Sequence, residues 1–175
     1  MNNLRMSYET NPITTCRQIA AHIRWMIRRD MSEVVSIENA CFETLWCETD
    51  FIHVLRQRNC IGMVAECDEC VVGYMVYELH KDLLQVLNFA VHPQFQRAGV
   101  GRLMVGKLAS KLSHQRRRRI RLHVRETNLP AQLFFRAMQF RAISIVHDFY
   151  FDTLEDAYLM EYRYVPDHLA HRFAG

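Results

Sequence analysis

A short loop with two glycines connects an apolar segment to an amphipathic helix pattern. The loop, Gln96-Arg-Ala-Gly99-Val-Gly101, follows the apolar run Leu87-Asn-Phe-Ala-Val91 and the dipeptide His92-Pro93. Backbone N–H groups at a helix N-terminus bind anions, and glycine permits close approach and unusual torsions. Arg97 and Arg102 add positive charge. The segment is therefore a candidate phosphate-binding loop.

The spacing of the glycines excludes two common phosphate motifs. A P-loop has a lysine and a serine or threonine after its second glycine, whereas Arg102 and Leu103 follow Gly101. A dinucleotide fingerprint has a third glycine where this chain has Met104. The G-x-G pattern alone also fits an ordinary strand-to-helix turn, so the neighbouring segments must decide.

Hydrophobic periodicity predicts the order β-α-α-β-β-β-α-β-α-β-β, which is typical of a mixed α/β domain with a largely antiparallel sheet. The predicted strands are 22–28, 60–66, 71–80, 83–91, 120–124, 142–151 and 157–165. The predicted helices are 30–40, 48–57, 100–112 and 130–138. We interpret 1–20 as an N-terminal extension, 21–166 as a single domain and 167–175 as a C-terminal tail.

Composition narrows the class of protein. The chain has 175 residues, 50% of them hydrophobic, and a formal net charge of +3, which predicts a globular domain rather than a dedicated nucleic-acid binder. No apolar stretch reaches membrane-spanning length, and the first residues lack the apolar region of a secretory signal. We therefore expect a cytoplasmic protein with no membrane contact.

The six cysteines favour a reduced protein without a metal. They lie mostly in apolar segments, where free thiols behave as small hydrophobic groups: positions 16, 41, 47, 60, 67 and 70. Cys67-Asp-Glu-Cys70 has the spacing of half a structural zinc site, but no second pair accompanies it. We interpret it as a hairpin turn and predict no metal.

Together with its neighbours, the glycine loop resembles the Q/R-x-x-G-x-G/A motif of the GNAT superfamily of N-acetyltransferases. The chain is most similar to the ribosomal-protein alanine acetyltransferases and their relatives that acetylate protein N-termini. The resemblance extends over about residues 22 to 165. Beyond the loop it rests on Asn88-Phe-Ala-Val-His-Pro93, Leu122-His-Val-Arg-Glu-Thr-Asn128, Met138-Gln-Phe140 and Asp148-Phe-Tyr150.

The resemblance implies a GNAT fold that binds acetyl-CoA between two splayed strands, 86–91 and 120–125. Backbone groups of the first strand would pair with the pantetheine arm, the loop would hold the pyrophosphate, and residues further along would contact the cofactor. Asn128 is also a natural helix cap before Pro130. The implied cofactor-binding residues are Phe89, Ala90, Val91, Gln96, Arg97, Ala98, Gly99, Val100, Gly101, Arg102, Asn128 and Phe135.

The resemblance also implies a general base at His123. Bacterial relatives carry a glutamate at this position, whereas some eukaryotic relatives carry a histidine. A histidine of ordinary pKa, about 6.5, is suited to accept a proton from an ammonium group. Strand alternation places it on the face opposite Leu122 and Val124. The other interpretation is a strand histidine without a catalytic task.

A second departure concerns the proton for the leaving thiolate. The family's general-acid tyrosine falls at Phe135, whose ring has no proton to donate. Solvent could protonate the thiolate, Tyr150 could replace the missing tyrosine, or the protein could bind CoA with little transferase activity. Asp148-Phe-Tyr150 resembles a segment that lines the peptide groove in relatives, although aromatic strand residues can also pack into a core.

Two smaller features remain. Gln139 replaces the glycine that usually ends the preceding helix, which in a left-handed backbone costs on the order of 1 kcal/mol. The run Arg116 to Arg119 fits contact with ribosomal RNA or another acidic partner, but we favour a solvated helix C-terminus because no aromatic residues accompany it.

The leading hypothesis is an acetyl-CoA-dependent N-acetyltransferase. The acceptor would be a primary amine, foremost the N-terminal α-amine of a protein such as a ribosomal protein, attacking directly in a ternary complex. His123 and Tyr150 are the candidate catalytic residues. The alternatives are an acetyltransferase for small-molecule amines and a CoA-binding or CoA-sensing module.

Overall fold

The computed structural model describes residues 20–165. The predicted C-terminal tail, and all but the last residue of the predicted N-terminal extension, lie outside these residues. The strands are β1 His22–Trp25, β2 Cys60–Cys67, β3 Cys70–Leu79, β4 Leu83–Val91, β5 Arg119–Arg125, β6 Arg141–Tyr150 and β7 Glu155–Arg163. The helices are α1 Met31–Cys41, α2 Glu48–Leu55, α3 Val100–Ala109 and α4 Leu129–Ala137.

One seven-stranded sheet organises these elements, in the order β1-β2-β3-β4-β5-β7-β6. Every neighbouring pair is antiparallel except β4 and β5, which are parallel and are joined by a crossover through α3. The mixed α/β class, the order of the elements and the largely antiparallel sheet are confirmed.

The sheet carries a hydrophobic core on each face. The α3 and α4 side buries alternate residues of β5, Ile120, Leu122 and Val124, together with the apolar side of α3. The α1 and α2 side buries Val34 and Ile37 against β3. Because successive strand residues point to opposite faces, the remaining β5 side chains project toward the α1 side.

The sheet opens between its two parallel strands. Their pairing begins at Leu83 with Arg119 and ends at Gln85 with Arg121. Directly beyond this point Val76 and Tyr77 of β3 pair with Asn88 and Val86, so Leu87 is an extra residue without a partner. Such a β-bulge bends its strand, and β4 therefore diverges from β5. The predicted splay between these strands is present.

The Cys67-Asp-Glu-Cys70 segment is a hairpin turn, as predicted. Cys67 and Cys70 pair across β2 and β3, and the two residues between them both have positive φ, 49° for Asp68 and 65° for Glu69. Two positive φ values in a two-residue loop define the type I′ turn, which matches the twist of a hairpin.

Two predictions about α3 and the arginine run were wrong. The helix ends at Ala109 rather than near Leu112, and the Ser110 hydroxyl donates to the Lys107 carbonyl oxygen at 2.8 Å. The run Arg116 to Arg119 therefore belongs to the connection and the start of β5, not to a helix C-terminus. Local sequence suited a longer helix, because Leu112 is buried in the core, but the chain leaves the helix before reaching it.

The strand and helix ends differ in smaller ways. The strand β1 ends at Trp25, three residues before its predicted end, and Arg28–Asp30 form a 3-10 turn instead. The helix α4 ends as the resemblance implied, because Gln139 is left-handed with φ 67° and the Phe140 N–H reaches back to the Phe135 carbonyl at 2.9 Å. The chain tolerates the strain of a non-glycine residue there.

Candidate active site

The glycine loop forms a concave backbone surface at the N-terminus of α3. Arg97 and Gly99 have positive φ, 64° and 91°, and Gly99 is the residue that caps the helix. The first bond of this turn runs from the Leu103 N–H to the Gly99 carbonyl at 3.1 Å. The N–H groups of Val100, Gly101 and Arg102 precede it and have no acceptor within the helix.

The two glycines of the loop have different tasks. A side chain at Gly99 would meet nothing within 4 Å, so glycine is needed there for its left-handed backbone. A Cβ at Gly101 would lie 3.2 Å from Phe134 Cζ, so that glycine is needed for packing against α4. The open space around Gly99 leaves room for an anion beside the helix end.

A side chain holds the loop against the end of β4. The Gln96 side-chain amide donates to the Val91 carbonyl at 3.0 Å, and the Cys41 thiol donates to the same oxygen at 3.4 Å. Gln96 thus shapes the loop rather than projecting from it. The side chains of Arg97 and Arg102 are exposed, and Ala98 between them is half-buried.

The open side of β4 presents unpaired backbone groups. The His92 N–H bonds to the Val72 carbonyl at 2.9 Å, which makes Ala90 with Tyr74 a hydrogen-bonded pair of the β3–β4 ladder. The N–H and C=O of Phe89 and the N–H of Val91 consequently point away from β3, into the gap toward β5, whereas the Val91 carbonyl already accepts from Gln96 and Cys41. Of the predicted trio, Ala90 directs its own backbone groups to β3.

Aromatic rings close the α4 side of this gap. The Phe89 ring lies 6.2 Å from Phe134 and 6.1 Å from Phe135, and Phe135 packs on Phe140 at 5.3 Å, all between ring centroids. Phe135 is only 6% exposed. A tyrosine hydroxyl is missing here, and the site is instead a dry apolar wall.

Asn128 caps α4. Its side-chain oxygen accepts from the Ala131 N–H at 3.0 Å, and Pro130 occupies the first turn. The capping interpretation is confirmed. The cofactor contact stays a prediction, and because the amide oxygen is engaged in the cap, such a contact would use the amide NH₂ or the second lone pair of that oxygen.

His123 lies on the α1-facing side of β5, at the edge of the gap. Its ring stacks on Phe149 with centroids 4.0 Å apart and an angle of 18°. Burial lowers the pKa of His123 below its usual value. No hydrogen bond to the imidazole occurs within residues 20–165, so packing alone holds the ring. A half-buried neutral imidazole with free nitrogens is able to accept a proton.

A bulge in β6 brings Phe149 onto His123. Val146 pairs with Ala157 and Tyr150 with Glu155, so three residues of β6 oppose one residue of β7. Asp148 is left-handed within this bulge, with φ 49°. The extra length folds Phe149 over the face of β5, and Phe149 remains 36% exposed. It is therefore partly open to solvent and is not a core residue.

Tyr150 packs on Phe149, which lies between it and His123. The centroids of the Phe149 and Tyr150 rings are 5.0 Å apart. The Arg125 guanidinium lies 3.9 Å above the Tyr150 ring and pairs with Asp152 at 2.8 Å and with Glu155. Burial raises the pKa of Tyr150, so the phenol is protonated at neutral pH.

A buried polar cluster lies on the same face of the sheet, beneath α1. Glu38 is 1% exposed and contacts the Tyr74 hydroxyl, the Asn88 amide and the backbone of Trp46. Sequence reasoning missed these residues. A signal was available, because Glu38 follows Val34 and Ile37 at helical spacing and so had to fall on the buried side.

Two segments face each other above this surface. The α1–α2 loop, residues 42–47, reaches the β6–β7 turn, residues 151–154, through a hydrogen bond from the Thr44 hydroxyl to the Asp152 carboxylate. Both segments carry exposed apolar side chains, among them Leu45 and Phe151. Asp152 is linked to His123 through Arg125, Tyr150 and Phe149, and we call the surface formed by these residues and the two segments the candidate acceptor groove.

Neither a metal centre nor a membrane span is found in the described part of the chain. Residues 20–165 hold no group of three or more histidine, cysteine or carboxylate side chains arranged for a metal ion. None of the described helices has the length and apolar character needed to cross a bilayer.

Comparison with known proteins agrees with this architecture. Residues 31–140 match the family model described as the acetyltransferase (GNAT) family. A Bacillus subtilis protein, named as a candidate ribosomal protein bS18-alanine N-acetyltransferase, is 28% identical over 80% of this chain and 93% of its own length. An N-alpha-acetyltransferase of Sulfurisphaera tokodaii is 26% identical over 75% of this chain and 86% of its own.

A solved structure has the same fold. The crystal structure of Ard1 from Thermoplasma volcanium superposes with a TM-score of 0.77 at 24% identity, and the match covers 85% of this chain and all of that one. With the open sheet and the anion-binding loop, these matches show that the chain belongs to the GNAT family of acetyltransferases. It is an acetyl-CoA-dependent N-acetyltransferase.

The residues present fit acetyl-CoA. The N–H groups at the start of α3 suit a pyrophosphate, and the backbone groups of Phe89 and the Val91 N–H, which β3 leaves unpaired, suit the amides of a pantetheine arm. The aromatic wall around Phe135 suits its alkyl portions. When bound, acetyl-CoA supplies an activated thioester at the gap between β4 and β5.

Proposed function

We propose that this enzyme acetylates the N-terminal α-amine of a protein by direct attack in a ternary complex. The observation that carries the proposal is the position of His123 on β5, beyond the point where β4 diverges and in contact with Phe149 of the candidate acceptor groove. The names of the relatives support the same acceptor class, ribosomal protein bS18 among them.

On the donor side, the pyrophosphate lies on the backbone from Arg97 to Arg102. The pantetheine arm pairs with Phe89 and Val91 and packs against Phe135. Asn128 contacts the cofactor through the part of its amide that the helix cap leaves free. Apart from the Asn128 amide, these contacts use backbone groups and apolar rings, and none of these groups titrates near neutral pH. The placement of the thioester should therefore not depend on pH in this range.

On the acceptor side, His123 accepts the proton of the incoming ammonium, directly or through water. An α-amine has a pKa of about 7.7–8.0, against about 10.4 for a lysine side chain, so far more of it is neutral near pH 7. Burial keeps the pKa of His123 low and its imidazole neutral. A weak base of this kind suffices for an α-amine.

The leaving thiolate has no tyrosine at position 135 to protonate it. Tyr150 packs on Phe149, which stacks on His123, and its raised pKa keeps the phenol protonated and able to donate. We assign the general-acid role to Tyr150, with solvent as the competing proton source.

The test is a panel of acceptors with acetyl-CoA, followed by thiol release and by mass spectrometry of the products. It compares peptides with free N-termini, including alanine-starting ones, with the same peptides blocked at the N-terminus but carrying lysine, and with polyamines and aminoglycosides. Transfer to free α-amines supports the proposal. Turnover with small amines alone would instead identify a small-molecule acetyltransferase.

A CoA-binding module is the second candidate, because Phe135 removes the family's general acid. Calorimetry with acetyl-CoA separates it from an enzyme. Tight binding without turnover on any acceptor would favour the module. If the protein does transfer acetyl groups, a lower rate in Tyr150→Phe would place the phenol in the reaction.

A further inference from the structure

Glu38 is a buried carboxylate without a role in the reaction just described. It projects from α1 toward β3 and β4 and is 1% exposed. The Tyr74 hydroxyl donates to one of its oxygens, and the Asn88 amide donates to both at 3.2 Å. Four donor contacts in all satisfy the charge, as a buried carboxylate requires.

The fourth contact leads out of the core. The Trp46 N–H donates to Glu38 Oε1 at 2.9 Å, across eight residues of sequence. The Trp46 ring packs edge-on to Phe51 at 5.2 Å, and Phe51 packs on Tyr74 at 5.4 Å, between centroids. One end of the α1–α2 loop is thus anchored in the core by a charge and by a stack of rings.

The other end of the connection reaches the candidate acceptor groove. Thr44, two residues before Trp46, donates to the Asp152 carboxylate in the β6–β7 turn. Asp152 accepts from Arg125 at 2.8 Å, and Arg125 lies over Tyr150. Contacts therefore run without a break from Glu38 to the residues beside His123.

A purely structural role does not require this arrangement. The helix α1 is already held by Met31, Val34 and Ile37, which are buried in the same core. An apolar residue at position 38 would fill the space without the desolvation that a buried carboxylate costs. What the carboxylate adds is a fixed position for a loop backbone, and that loop borders the acceptor groove.

We propose that Glu38 is a positioning residue for the acceptor peptide. Its carboxylate fixes the α1–α2 loop through Trp46 and thereby sets the separation between this loop and the β6–β7 turn. The peptide that follows the acceptor amine lies between these two segments. The inference rests on the proposed function, since it assigns the groove to a peptide.

The first test measures the loop directly and does not depend on activity. Hydrogen exchange of the amides in residues 43–46 is compared between the wild type and Glu38→Gln, which keeps the volume and removes the charge. We expect exchange about tenfold faster in the variant, because a charge-assisted hydrogen bond is lost. The matched control is Glu33→Gln, since Glu33 also lies on α1 and accepts a backbone N–H, from Val71 at 3.1 Å.

The second test measures use of the loop. For Glu38→Gln we expect the KM for a peptide to rise about tenfold, while kcat and the KM for acetyl-CoA stay within about twofold of the wild-type values. This pattern is expected when a variant binds the acceptor more weakly in the ground state and in the transition state alike. Thr44→Val removes the hydrogen bond to Asp152, at the other end of the same series of contacts, and leaves the core unchanged. It should therefore also raise the KM for the peptide. It also serves if Glu38→Gln does not fold.

The outcomes separate the two proposals. If the wild type acetylates no peptide, the proposed function fails, while loop exchange still decides whether Glu38 positions the loop. Unchanged exchange at residues 43–46 in Glu38→Gln would overturn the inference. So would an equal loss in kcat and in both KM values, because that pattern describes general damage to the fold.

Discussion

The donor and acceptor halves of the active site are built on different principles. The donor half uses backbone groups of one continuous segment, from the bulge at Leu87 to Arg102 in the first turn of α3. The acceptor half uses side chains from four places in the sequence, represented by Glu38, Thr44, His123 and Tyr150. Backbone geometry thus dominates the half that holds the donor, and side chains dominate the half that receives the acceptor.

The halves also differ in how they respond to pH and mutation. On the donor side, N–H groups and apolar rings do not titrate, and a side-chain change matters only where it alters the backbone. The acceptor side holds a histidine with no hydrogen-bond partner within residues 20–165, a buried phenol and an arginine between two carboxylates. We therefore expect changes in the donor half to lower the affinity for acetyl-CoA in small steps, and changes at the two catalytic residues of the acceptor half, His123 and Tyr150, to lower the rate sharply.

The largest effect should follow loss of the base. His123→Ala should lower kcat by about 100- to 1,000-fold, the usual contribution of a general base, with little change in the KM for acetyl-CoA. Steady-state kinetics with a free N-terminal peptide measure it. His114→Ala, an exposed histidine in the α3–β5 connection, is the matched control. A near-wild-type kcat for His123→Ala would show that His123 is not the base. The acceptor half would then not be more sensitive in rate than the donor half.

The next effect concerns the backbone of the donor loop. Gly99→Ala should destabilise the fold by about 1 kcal/mol, because its φ of 91° is left-handed and no contact at that position compensates. The KM for acetyl-CoA should rise while the peptide KM stays constant. Gly106→Ala is the control, since that glycine is helical with open space around it, and should stabilise by about 0.5–1 kcal/mol. Thermal unfolding and kinetics check both.

The contrast between the halves also explains what could be predicted from the sequence. The turn into α3 and the order of elements are encoded locally, by glycine spacing and by hydrophobic period, and the structure agrees with them. The opening between β4 and β5 was implied by the resemblance alone, and it is also present. The face of His123 followed from alternation with Leu122 and Val124. The end of α3 did not follow, because Leu112 is buried as a helical residue would be but lies beyond the last turn.

The contacts of the acceptor half could not be predicted, because they join residues far apart in the sequence. The bulge in β6 that places Phe149 on His123 depends on the register with β7, which no local pattern encodes. The link from Thr44 to Asp152 spans 108 residues. Glu38 was visible as a charge on an apolar helix face, but its partner Trp46 was not.

A smaller effect should appear in the pH dependence of the acceptor half. Phe149→Ala exposes His123, and because burial is what lowers its pKa, we expect that pKa to rise toward about 6.5. NMR titration of the imidazole measures the shift directly. Since the neutral form is the base, the acid limb of kcat should move to higher pH in the variant. A pKa that falls or stays constant would assign the shift to another cause.

The lowered pKa of His123 also determines the direction in which the stability of the fold changes with pH. The unfolded histidine titrates near its usual value, about 6.5, and the folded one titrates lower, so the unfolded state binds the proton first as pH falls. Stability from His123 is therefore complete above about pH 6.5 and decreases on acidification until the folded pKa is passed. The slope of unfolding free energy against pH should be shallower in Phe149→Ala.

The smallest effect should come from the arginine run, which lies outside both halves. Arg117 and Arg118 donate to backbone carbonyls, and Arg119 pairs with Asp82 and with the buried Glu161, so three of the four arginines have structural partners. Arg116→Gln should change stability by less than about 0.5 kcal/mol and leave peptide kinetics constant. Arg119→Gln should lower the melting temperature instead, because Glu161 loses one of its cations.

The salt dependence of binding to ribosomal particles distinguishes two roles for the arginine run, stabilising the fold and binding a partner. If Arg116 contacts an acidic partner, as on a ribosome, Arg116→Gln should weaken association with ribosomal particles and flatten its dependence on salt, although the isolated enzyme is unchanged. If the run only fixes the start of β5, the two proteins should sediment identically with such particles at every salt concentration. In that case recognition of the acceptor depends on the groove around His123 alone, which is the stronger form of the contrast between the two halves.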